Sequence, residues 1–271
     1  MLRERLIVGT IGAVFAIAVL LSGSLLLGVA ISVIALIGLG EIYKALALTQ
    51  ENKALTVIGY IWGILVLFFA NTNQLIQNFM MLTICFITVL MVYMVFSHKK
   101  TTYSQVAKCL FSTIYVVLFF SYLILIRNRI NGEYYIWIPI IVAWLSDTMA
   151  YTFGLLFGKH KLIPEVSPKK TIEGAIGGVF GGVLFMLIYS LVSAYGFSKD
   201  VNFVSMILLG ASGAVLSQFG DLAASWIKRE NGIKDYGNLL PGHGGILDRF
   251  DSVLIIAPFV YYFITVFPVF R

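Results

Sequence analysis

The chain has 271 residues, of which 59% are hydrophobic and only 12% charged, and its mean hydropathy is +0.93. A soluble domain carries about 45–50% apolar and about 25% charged residues, so this composition excludes a soluble enzyme, a disordered chain and a nucleic-acid-binding domain. The formal charge of +6 does not point to nucleic acid either, because the basic residues sit between apolar runs.

Nine apolar segments follow one another, at about 6–21, 25–45, 55–70, 79–96, 106–126, 136–157, 175–194, 201–219 and 253–270. Each is read as helical, because lipid tolerates only helices and closed barrels and the runs lack the alternation of barrel strands. The expected fold is therefore all-α, a polytopic integral membrane protein with about nine transmembrane helices. It is read as one membrane domain, with amino-terminal helices over 1–130 and catalytic helices and loops over 131–271. The start resembles a signal peptide in its charge layout, but no convincing cleavage site follows, so segment 6–21 is read as an uncleaved first span. Ser22-Gly23-Ser24 joins the first two segments as a hairpin. Cys85 and Cys109 lie in apolar runs without metal-ligand spacing and are read as packing residues.

Two connections are richer than the rest, 158–174 and 220–252. With the amino terminus in the cytosol, 15 of the 19 Lys and Arg residues face that side, and only Arg127, Arg129, Lys199 and Arg271 face the other. The positive-inside rule favours this orientation in the cytoplasmic membrane, and both rich connections then face the cytosol.

The acidic residues can be sorted completely. Glu4, Glu41, Glu51, Glu133 and Asp200 flank spans and are expected in water, while Glu165, Glu173, Glu230 and Asp235 lie in the two loops. Asp147 lies inside the sixth segment, Asp221 closes the eighth, and Asp248 and Asp251 open the ninth. Charges at membrane depth must be paired, metal-bound or hydrated. For Asp147 the plain alternative is a helix–helix hydrogen bond or a lysine pair. Asp248 and Asp251, at i and i+3, share one side of a helix and suit a hard divalent ion such as Mg²⁺, which takes one or two carboxylates plus waters and phosphate oxygens. The plain alternative is an acidic first turn that complements the helix dipole.

Leu240-Pro-Gly-His-Gly-Gly-Ile246 precedes this pair. Gly242, Gly244 and Gly245 free the backbone around His243, and amides of such a loop before a helix start form an anion site. Asp221, Ser225 and Lys228 share a face if the eighth helix continues through Trp226. Lys228-Arg229 and Lys234 add cations at the same membrane surface, while Arg249 points away from the side that Asp248 and Asp251 share. In the other loop, Ser167-Pro-Lys-Lys-Thr-Ile-Glu-Gly174, Lys169 and Lys170 suit a phosphate and Thr171 suits a helix cap. A positive-inside loop touching anionic headgroups explains the lysines alone, but not the interleaved Asp, His and Gly.

Ser225-Trp-Ile-Lys-Arg229, Lys234-Asp-Tyr-Gly237 and Leu240-Pro-Gly-His-Gly-Gly-Ile-Leu-Asp-Arg-Phe-Asp251 closely resemble the signature of the phosphatidate cytidylyltransferase (CDP-diacylglycerol synthase) family. The 167–174 loop is also similar to that family's, whereas the amino half is similar only in hydropathy. The resemblance implies the reaction of CTP with phosphatidic acid to give CDP-diacylglycerol and pyrophosphate, with Mg²⁺ and room for a second cation. It implies metal roles for Asp221 and Asp248, with Asp251 as a further ligand. Lys228, Arg229, Lys234 and Arg249 would neutralise phosphates and His243 would orient them. Ser167, Lys169, Lys170, Thr171, Ser225, Asp147 and the glycines would contact substrate. CTP, phosphatidic acid and membrane lipids are the expected partners, and the apolar surfaces permit a homodimer. A CTP-dependent polyprenol or lipid kinase and a cation-coupled transporter are the rival readings.

Overall fold

A computed structural model describes residues 2–240, 242 and 244–270, with side chains from residue 9 onward. His243, singled out above, lies outside the described residues. Among the described residues, nine long helices overlap the nine expected segments: α1 (Leu2–Leu21), α2 (Ser24–Ala45), α3 (Lys53–Asn71), α4 (Leu75–Phe96), α5 (Tyr103–Arg127), α6 (Trp137–Phe157), α7 (Ile172–Leu191), α8 (Phe203–Glu230) and α9 (Leu247–Val266). Among the described residues, eight are long and apolar enough to cross a membrane; in α1 the described apolar stretch is the shorter Gly9–Leu21. The protein is an all-α polytopic membrane protein.

The ends depart from the expected ones where polar residues continue a helix. α8 runs on to Glu230, through Trp226, because backbone hydrogen bonding does not require apolar side chains once the helix is nucleated. α9 begins at Leu247 and carries Asp248 in its first turn. The 158–174 connection is not a simple loop. β1 (Lys161–Ile163) pairs antiparallel with β2 (Ser167–Thr171), with Lys161 opposite Thr171.

The chain forms two compact units. The first comprises residues 1–128 with 231–249, and the second comprises 129–230 with 250–271. Most of the carboxyl-half signature therefore belongs to the unit built from the amino-terminal helices. In the first unit, Leu27, Leu39, Val66 and Ile124 are among the fully buried core side chains. In the second unit the helices approach closely through glycine. A Cβ on Gly182 would come 2.6 Å from the Gly210 carbonyl oxygen, and a Cβ on Gly210 equally close to that of Gly182, so α7 and α8 touch backbone to backbone there. Such contacts replace the hydrophobic driving force that helices lack inside lipid.

Candidate active site

In the second unit, the hairpin and the helices around it make the first part of the site. Thr171 is the N-cap of α7, its hydroxyl accepting from Gly174 N at 3.1 Å. Glu173, in the first turn of α7, accepts from Lys159 N at 3.1 Å and His160 N at 3.3 Å. Its other oxygen lies 2.7 Å from His160 Nδ1. Ile172 N donates to His160 O at 2.9 Å. These bonds pin the base of the hairpin and aim Lys169 and Lys170. Glu173, expected only as a loop charge, is thus a structural tether.

Lys170 Nζ pairs with Asp221 Oδ2 at 2.6 Å. Asp221 Oδ1 accepts from Ser225 Oγ at 3.2 Å, one turn on along α8. Asp147 Oδ2 accepts from Ser252 Oγ of α9 at 3.0 Å, which is the helix–helix hydrogen bond considered above. Asp251 Oδ1 accepts from Ser252 N at 2.8 Å. The three carboxylates feel one another's charge, and Lys170 and Lys228 partly offset it. Lys228 is only 8% exposed, so its charge acts where water screens little.

Of these groups Asp147, Lys170 and Asp221 border a cavity of about 600 Å³, which Lys161, Ser167 and Lys169 also line; Asp251, Lys228 and Ser225 are not among its lining residues. Lysines and carboxylates line it together, with Lys170 and Asp221 paired within it. Among the described residues, no group of three or more His, Cys, Asp or Glu side chains is arranged as a metal cage. Mg²⁺ does not require one, since it keeps several waters and takes one or two carboxylates together with substrate phosphates. The donor set fits such an ion: the hard carboxylate oxygens of Asp147, Asp221 and Asp251 lie close enough to feel one another's charge.

In the first unit, the glycine loop is folded on itself. Leu240 N donates to Gly244 O at 2.9 Å. Gly242 and Gly244 have φ of 75° and 84°, a region that only glycine visits readily. Asp248, 8% exposed, accepts on Oδ2 from Tyr236 N at 2.8 Å and Gly245 N at 2.9 Å. Glu41, on α2, takes the next two amides: Ile246 N donates to Oε1 and Leu247 N to Oε2, each at 2.9 Å. Gly237 and Gly245 lie against the same carboxylate, where a Cβ on either would come within 2.5 Å of Oε1.

Two expectations are corrected here. Glu41 is not a hydrated flanking charge; it is 8% exposed and clamps the loop. The amides of Gly245, Ile246 and Leu247 are not an open anion site, because the protein's own carboxylates receive them. Sequence reasoning missed Glu41 because its partners lie 205 and 206 residues away. The available signal was a lone carboxylate in the apolar run of α2. Arg229, Lys234, Arg249 and Gly242 are exposed, and Gly244 is half-buried.

A family model described as the cytidylyltransferase family matches residues 3–267. The chain belongs to this family. It is 35% identical over 261 residues to a phosphatidate cytidylyltransferase of Staphylococcus aureus (strain COL), an alignment covering 95% of this chain and 96% of that one. Similarity to the phosphatidate cytidylyltransferase of Staphylococcus epidermidis (strain ATCC 35984 / DSM 28319 / BCRC 17069 / CCUG 31568 / BM 3577 / RP62A) is 35% over 263 residues, again 95% of this chain and 96% of the relative. The counterpart from Staphylococcus haemolyticus (strain JCSC1435) is 42% identical over 170 residues, 63% of each chain. The match extends through the amino half, where the signature itself gives no purchase.

Proposed function

We propose that this enzyme transfers the cytidylyl group of CTP to the phosphate of phosphatidic acid, releasing pyrophosphate and leaving CDP-diacylglycerol in the membrane. The observation that carries the reading is the cavity in the second unit, where hairpin lysines face Asp147 and Asp221 among membrane helices. Its two kinds of charge suit a lipid phosphate monoester and a cation-bound nucleotide. The family and its named relatives support the same pair of substrates.

A phosphate oxygen of phosphatidic acid attacks the α-phosphorus of CTP in line. The bond from that phosphorus to the bridging oxygen breaks, and pyrophosphate carries away the electron pair. The nucleophile is already anionic near neutral pH, so positioning and charge neutralisation suffice. Lys169 and Lys170 hold phosphate, flanked by the Ser167 and Thr171 side chains. Lys228, Arg229, Lys234 and Arg249 offset the triphosphate charge, and His243 orients it. Asp221 and Asp248 would hold Mg²⁺, as the resemblance implies, with Asp251 as a further ligand; when bound, the ion, with room for a second, would neutralise phosphate oxygens. The 15-to-4 charge split supports an active face on the cytosolic side of the plasma membrane.

Incubation of the purified protein with phosphatidic acid, Mg²⁺ and CTP labelled at the α-phosphate tests this. Label is expected in a lipid product, with equimolar pyrophosphate. A CTP-dependent lipid kinase would leave the lipid unlabelled, and that result would replace this reading.

A further inference from the structure

We propose that an apolar groove between α7 and α8 holds one acyl chain of phosphatidic acid while its phosphate occupies the lysine-lined cavity. This rests on the preceding reading of that cavity. α7 and α8 touch at Gly182 and Gly210. From that contact toward the start of α7 and the later turns of α8, larger side chains take the place of glycine on the facing sides. Ile172, Ile176 and Val179 on α7, and Val215, Phe219 and Leu222 on α8, line a groove of about 310 Å³. Each triplet repeats at i, i+4, i+7, so each forms one face of its helix.

The groove and the cavity are neighbours with a common wall. Leu162, Ala175 and Gln218 line both. Gln218 Nε2 donates to Ala175 O at 3.0 Å, so this amide N–H is satisfied within the shared wall. On one side stand Lys169, Lys170 and Asp221; on the other, apart from Gln218 itself, every lining residue is apolar. Leu162 and Ile163 of β1 line the groove while β2 supplies Lys169 and Lys170 to the cavity. The two-stranded hairpin thus sorts head from tail. An amphiphile with an anionic phosphate and a hydrocarbon chain fits both compartments at once, whereas a nucleotide has nothing to place in the groove.

A chain leaving the bilayer for this groove gains little hydrophobic energy, because lipid tails are as apolar as the groove. The groove therefore orients the substrate, and its loss reads mainly as weaker capture. Phosphatidic acid bearing a photoreactive group midway along one chain is incorporated with the purified full-length protein into phosphatidylcholine vesicles and irradiated. Label is expected within 172–179 and 215–222, and is expected to fall when unlabelled phosphatidic acid is added but not when phosphatidylglycerol is added. Label there that phosphatidic acid fails to displace marks bulk lipid and overturns the proposal; so does displaceable label confined to other helices.

Ile176, 66% exposed, admits a second arm without disturbing the core. Ile176→Trp should raise the KM for dioleoyl phosphatidic acid by about fivefold or more, a loss of substrate capture. The KM for CTP and turnover of a dihexanoyl substrate should stay near wild type, and Leu208→Trp, exposed on α8 away from the groove, should change nothing. Equal effects on long- and short-chain substrates would overturn the proposal. Failure of the wild-type protein to label lipid from CTP would instead remove the reading beneath it, and the crosslinking arm, which needs no turnover, separates the two failures.

Discussion

Glu41 and Asp248 share one task in the first unit. Between them they receive four backbone amides, from Tyr236, Gly245, Ile246 and Leu247. A buried amide left without its partner costs about 1–3 kcal/mol, so Glu41→Ala should lower the thermal unfolding midpoint in detergent and reduce turnover with it. Glu41→Gln should be milder, since one amide oxygen still accepts while the NH₂ group opposes the second N–H. Unchanged stability and turnover in Glu41→Ala would remove the clamp. Asp248→Asn can keep both of its amide contacts through the remaining carbonyl oxygen, so the loop should survive. If Asp248 and Asp221 bind Mg²⁺, Asp248→Asn and Asp221→Asn should each cut turnover about a thousandfold or more at saturating Mg²⁺, with membrane insertion intact. Near-normal turnover in either variant takes that residue out of the site. His243→Gln tests the direct mechanism. It should slow the reaction without changing its products, and the wild-type enzyme should not exchange labelled pyrophosphate into CTP without lipid. Robust exchange that disappears in His243→Gln would make His243 a nucleophile.

At the scale of elements, α7 and α8 meet backbone to backbone at Gly182 and Gly210. In Gly182→Ala the new methyl would sit 2.6 Å from Gly210 O and 2.7 Å from the Ala214 Cβ. Overpacking of this kind costs about 1–3 kcal/mol. The variant should show faster heat inactivation than Gly12→Ala, whose Cβ meets nothing within 4 Å; equal rates would mean that the crossing yields freely. The nine long helices were legible because hydropathy reports where lipid is, and lipid admits little else. Their ends were not: Asp221, Ser225 and Lys228 look like a loop to a hydropathy reading, yet they continue α8 on its polar face. Nor was the hairpin, since Ser167-Pro-Lys-Lys-Thr171 lacks apolar alternation and its pairing is held partly by Glu173 outside both strands. The site's residue types and spacing were readable locally. The partner that fills the α9 amides was not, because no local pattern connects residue 41 with residue 246.

For the whole molecule, orientation is the property with the simplest test. Lys169 and Lys234 are exposed on connections assigned to the cytosolic side, and Asp200 is exposed on one assigned to the opposite side. Single cysteines at these positions, in a background lacking Cys85 and Cys109, should react with an impermeant reagent from opposite faces of sealed vesicles. Reaction of positions 169 and 200 from the same face would refute the arrangement of spans. The division of the chain also bears on how it is made. The first unit is closed by residues 231–249 and the second by residues 250–271, so neither is whole when α8 leaves the ribosome. At about 5–20 residues per second, Glu41 spends roughly 10–40 s of synthesis before Ile246 and Leu247 exist to meet it. During that interval α2 is an apolar helix carrying an unanswered carboxylate, a state that membrane quality control is suited to detect. A nascent chain arrested at residue 230 should therefore be cleared faster than one carrying a Gln at position 41, a difference that pulse-chase measurement of the two arrested chains would show.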